Sequence, residues 1–129
     1  MPLERVYSAL LALATGIVAD PAPGLVTVFS PDATFTYVLR DLALSAASPT
    51  GISAFQVGCQ PAGDPDIDHF TVLLSLVLPL PGSSVNSGDD HWSGRQVLPH
   101  GLDLVVLASG PSTSICNLMA TGYKLTPAT

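Results

Sequence analysis

The stretch DDHWSGRQVLPHGLDLVV, residues 89–106, gathers the side-chain types that chemistry requires. It holds the only tryptophan, two of the three histidines and two adjacent aspartates. Two imidazoles and a carboxylate would suit a transition metal. Spacing decides against that set. His91 and His100 bracket one strand-like segment, so at the usual strand rise they stand roughly 30 Å apart. They can share an ion within one chain only if the strand doubles back. Asp89 and Asp90 close the preceding loop.

Other constellations are weaker. DPDIDH at 64–69 resembles part of a calcium loop but lacks the glycine and distal glutamate of an EF-hand. It reads as a solvated acidic turn, with loop calcium as the competing assignment. GPSTS at 110–114 lacks the second glycine of a nucleophile elbow. SGRQ and ASGPS have no phosphate-loop context. Nine aspartates and one glutamate, mostly in turn-like segments, single out no carboxylate pair for glycoside chemistry. Asp41 and Asp103 fall within strand-like segments and read as outward-facing, or as partners of Arg40 or Arg95. Trp92 reads as a core or interface anchor. The alternative is that Trp92 stacks on a sugar together with Tyr37 or Tyr123. No catalytic, cofactor or metal site is expected.

The elements that position these residues are short. Twelve prolines and eleven glycines separate brief apolar runs, which argues for strands and turns. Strands are expected near 5–12, 25–30, 34–46, 52–59, 68–78, 91–98, 102–109 and 114–125, with 79–90 an exposed contact loop. In TFTYVLRDLAL the apolar parity switches at Arg40-Asp41, which predicts a β-bulge. In HFTVLLSLVL, Phe70, Val72, Leu74, Leu76 and Leu78 share one parity while Leu73 and Val77 are apolar on the other, so both faces are expected to be covered, by the chain itself or by a neighbour. The spacing predicts an all-β chain, residues 1–129 as a single antiparallel β-sandwich, jelly-roll-like, of about eight strands. Residues 1–24 read as an N-terminal strand or arm and its loop. Their pattern also fits a secretory leader, the minor alternative.

Hydrophobic residues make up 47% of the chain and charged residues only 11%, against about 25% charged in typical domains. The net charge is −6, with four scattered bases. That excludes the clustered Lys and Arg that nucleic acid or anionic membranes need. So much apolar sequence with so little charge predicts burial against other subunits. Cys59 and Cys116 lack zinc-site spacing and read as buried free thiols, with one long-range disulfide as the alternative.

The C-terminal half, HWSGRQVLPHGLDLVVLASGPSTSICNLMATGYKL, contains W-x-G-R-Q-V-L, P-x-G-x-x-L and a closing G-Y-x-L. With RVYSALLA and LVTVFSPDATFTYVLRDLAL, it resembles small β-sandwich virion proteins of tailed phages that infect actinobacteria. SPDAT stands where those proteins carry a proline–glycine turn, and PLPGSSVNSGDD is this chain's own insert.

The resemblance implies a non-enzymatic minor tail or head-decoration role and carries no catalytic residues. Its matched positions are Arg40, Asp41, Trp92, Gly94, Arg95, Gly101, Gly122 and Tyr123. Gly101 suits a turn with φ > 0, and Gly122 a bulge or close packing. Arg40-Asp41 and Arg95 are expected to form partly buried pairs that fix register. The expected partners are copies of the chain itself, a trimer among the options, and major capsid or tail proteins of the virion. The alternative function is a glycan- or receptor-binding module built on Trp92.

Overall fold

A computed structural model describes residues 9–20, 24–48, 51–78, 86–111 and 113–125. Eight antiparallel strands run in chain order: β1 (Ala9–Val18), β2 (Leu25–Phe29), β3 (Thr36–Ser48), β4 (Ser53–Pro61), β5 (Thr71–Leu78), β6 (Asn86–Leu98), β7 (Leu102–Ser109) and β8 (Ile115–Leu125). Sheet one has the order β1-β8-β3-β6 and sheet two β2-β7-β4-β5. First pairs with last, second with seventh, and so inward to the middle of the chain, which is the strand order of a jelly roll.

The core lies between the sheets. Leu39, Leu42, Leu44 and Leu118 come from sheet one, and Phe55, Val57, Leu104 and Val106 from sheet two, all essentially inaccessible. Burying each such side chain contributes about 1.5–3 kcal/mol. The predicted bulge is present. Pairing of β3 with both neighbours breaks between Leu39 and Asp41, so Leu39 and Leu42 both point inward despite the wrong parity for a regular strand.

Three expectations are corrected. Residues 79–85 of the expected loop lie outside the described residues, but Asn86–Asp90 belong to β6 and pair with Leu44–Ser48. The first strand runs Ala9–Val18 rather than 5–12; residues 1–8 lie outside the described residues. In β5 the two-sided apolar pattern is a bulge. Val57 pairs with Leu74 and Gly58 with Val72, so Leu73 is extra and packs on the core beside Leu74. Val72 and Val77 are left exposed.

Glycine is required where β8 meets the β3 bulge. A Cβ on Gly122 would lie 2.0 Å from the Val38 carbonyl oxygen, so only a hydrogen fits there. Gly101 turns β6 into β7 with φ 95°, a conformation costly for any residue with a Cβ. The same turn is tied across the fold by His100, whose Nδ1 donates to the Pro31 carbonyl at 2.9 Å. In place of a proline–glycine turn, Asp32 organises SPDAT. Its Oδ1 accepts from the Thr34 and Phe35 N–H groups, and Tyr37 Oη donates to its Oδ2.

Candidate interaction face

The outer face of sheet one is built by register. Leu13 pairs with Met119, Met119 with Ala43, and Ala43 with His91. These side chains therefore form one row across four strands. A second row runs Leu10, Thr121, Asp41, Ser93, and a third carries Asn117, Ser45 and Asp89. The third row meets β1 where its pairing breaks between Ala14 and Ile17; there Asn117 Oδ1 accepts the freed Gly16 N–H at 2.8 Å.

The face has two halves. On β1 and β8, Leu10, Leu13, Val18, Ile115 and Met119 are exposed, Leu13 at 61% and Met119 at 45%. On β3 and β6 the outward residues Asp41, Ser45, Asp89, His91, Ser93 and Arg95 are polar and at least partly exposed, with Ala43 and the exposed Val97 the apolar members. A groove of ≈ 570 Å³ runs between the halves, lined by Leu13, Ala43, Met119, Asn117, Asp89 and His91 among others.

Asp41, His91 and Ser93 meet on this face, a contact that strand-by-strand reading missed. Ser93 Oγ donates to Asp41 Oδ1 at 2.7 Å and lies 3.3 Å from His91 Nε2; His91 Nε2 is 3.5 Å from Asp41 Oδ1. The residue types are those of a hydrolytic triad, but the connectivity differs. A triad carboxylate binds the imidazole nitrogen remote from the serine. Here the carboxylate takes the serine proton directly, and both contacts fall on Nε2. The geometry suits a tie across the β3–β6 bulge rather than proton relay.

The matched positions do not gather into one site. Trp92 pairs with Leu42 and is half-buried against the core. Gly94 makes room for it, since a Cβ there would sit 2.7 Å from the indole. Tyr123 pairs with Val38 on the outer face, while Tyr37 packs inward with Phe29 at 5.0 Å between centroids. Trp92 and Tyr123 therefore stand on opposite sides of sheet one and make no common stacking platform.

The expected arginine pairs are absent among the described residues. Arg40 and Arg95 are exposed, and Asp41 binds Ser93 and His91 instead. Long, exposed guanidinium side chains gain little from fixed pairing in water, whereas register places Ser93 directly opposite Asp41. Asp103 is on the outward parity of β7, as expected, yet is covered and pairs with no arginine among the described residues. It is 8% exposed beside its register partner Gln60, under the 61–69 segment that Gln60 Nε2 holds by donating to the Asp64 and Asp66 carbonyls.

In that segment the carboxylates serve the backbone. Asp64 Oδ1 accepts the Asp66 N–H and Asp66 Oδ1 the Asp68 N–H. His69 Nδ1 lies 2.6 Å from Asp64 Oδ2. The Asp66 N–H and then His69 hold the Asp64 carboxyl below its usual range, and Asp64 raises His69 above its own. Cys59 and Cys116 are free and buried, one in each sheet.

No protein-family model matches the chain, and no curated protein matches it. Among solved structures, Eiger TNF from S. frugiperda aligns over 94% of this chain and 97% of its own, at 11% identity and TM-score 0.48. The cryo-EM structure of Broad Bean Stain Virus aligns over 100% and 97%, at 10% identity and TM-score 0.37. The class stated here, an eight-stranded jelly-roll sandwich, rests on the strand order itself.

Proposed function

We propose that this chain is a non-enzymatic structural component of a tailed-phage virion that assembles on the capsid surface or tail through the outer face of sheet one. One observation carries the reading. Leu10, Leu13, Val18, Ile115 and Met119 are exposed apolar side chains on one face of two adjacent strands, with the Asn117 row between Ile115 and Met119, and exposed apolar clusters of this kind mark association surfaces. Low charge overall and the resemblance of the W-x-G-R-Q-V-L and G-Y-x-L segments to phage virion proteins support it. No separate observation favours the glycan alternative, since Trp92 packs inward.

The test is attachment. Tagged chain is incubated with phage particles and examined by electron microscopy. Regular added density on head or tail supports the reading. Bare particles, together with absence of the chain from purified virions, overturn it.

A further inference from the structure

Charge on sheet one is sorted by position. The three basic residues among the described residues all lie at one end of the sheet: Arg40 in the bulge and Arg95 beside it on β6 carry charge to the outer face, while Lys124 lies opposite the inward Tyr37 and over the Phe35 ring. Asp89 carries the acid on the outer face toward the other end of β6, whereas Asp90 is the register partner of the core residue Leu44. Arg95 lies six positions along the strand from Asp89, about 20 Å at about 3.3 Å per residue. Along the strands the face runs from basic to acidic. Across them it runs from mostly apolar on β1 and β8 to mostly polar on β3 and β6.

We infer that the partner of this face is a second copy of the same chain, laid on it face to face with its strands reversed. Two identical faces can meet about a two-fold axis lying in the plane between them. If that axis ran along the strands, basic end would meet basic end, and each apolar half would cover a polar one. If it runs across the strands, near the rows of His91 and Ser93, both mismatches vanish together. Leu10 then lies over the partner's Met119 row, Val18 and Ile115 reach the partner's Tyr123, and Arg40 and Arg95 reach the partner's Asp89. Asp41, close to the axis, already has Ser93 and His91 as partners. One symmetry operation thus satisfies two independent gradients. The inference rests on the reading of this face as an association surface and adds its partner and orientation.

Charge reversal within one chain is the test. Sedimentation velocity of the wild type is expected to give twice the chain mass. Arg95→Asp and Asp89→Arg should each weaken self-association about tenfold or more, as removing one partner of a close interfacial pair does. The chain carrying both substitutions should recover to within about threefold of wild type, because each reversed end again meets its opposite. Circular dichroism verifies folding of each variant, and Arg95→Gln with Asp89→Asn gives a milder series should a reversal fail to fold. A monomeric or trimeric wild type overturns the inference, as does a double variant no better than either single one. Particle attachment is scored separately. A monomer that still decorates particles removes the reversed dimer and keeps the virion reading, and a dimer that ignores particles does the opposite.

Discussion

Ser53 Oγ and Ser114 Oγ lie 2.6 Å apart, joining the start of β4 in sheet two to the residue before β8 in sheet one. Ser48, at the end of β3, closes the ring at 2.9 Å to each and donates to the Gly51 carbonyl. All three side chains are buried at the sandwich end where the sheets meet. Removing one hydroxyl takes a buried partner from each of the other two.

Ser53→Ala or Ser114→Ala should therefore each cost about 1–3 kcal/mol in urea unfolding. The triple alanine variant should cost clearly less than the sum of the three singles, because each hydrogen bond shared by two serines is lost in two of the single variants. Additive losses would contradict a closed ring.

The two glycines near the bulge and the turn should separate by mechanism. Gly101→Ala meets nothing within 4 Å and should lose only about 1 kcal/mol, the cost of φ > 0 with a Cβ. Gly122→Ala forces backbone against backbone and should lose more than about 3 kcal/mol, or prevent folding. Melting temperatures compared side by side test the order.

Burial raises the Cys59 and Cys116 thiols from 9.0 to about 11. The raised values mean that this contribution to stability is complete below pH 9 and is lost as pH rises toward 11. Urea midpoints should fall across that window, and the fall should be shallower in the Cys59→Ala/Cys116→Ala chain. At pH 8 a thiol reagent should label neither cysteine until denaturant is added.

The tie between His69 and Asp64 gives an opposite window. His69, raised above 6.5, contributes fully below 6.5 and loses its contribution as pH climbs through its folded value. Asp64, lowered below 3.8, contributes fully above 3.8 and loses its contribution on acidification through its folded value. The segment should be tightest between roughly pH 4 and 6.5. Its amide exchange should slow there, and His69→Ala should flatten that profile.

Strand number, the bulge at Arg40-Asp41 and the two thiols were legible because each depends on local alternation or on residue type. The start of β6 was not. NSGDD carries the composition of a loop, yet an edge strand tolerates polar residues on its open side, and Gly88 lets Leu76 and Leu78 close over it. Leu73 misled for the complementary reason, since an extra residue turns two neighbours to one side. The partners of Asp41 required knowing that β3 lies against β6 with Leu42 opposite Trp92, a register set by long-range packing. Arg40 and Arg95 suggested pairing by charge, and their clustering at one end emerges only once the strands are aligned.

The central claim is that the outer face of sheet one is where this protein assembles. Lysine placed at both Leu13 and Met119, neighbours in one row of that face, tests it most directly by sedimentation velocity. The wild type is expected to self-associate and Leu13→Lys/Met119→Lys to sediment as a monomer, with a melting temperature within about 3 °C of wild type because both positions are exposed. A doubly substituted chain that associates as the wild type does would contradict it.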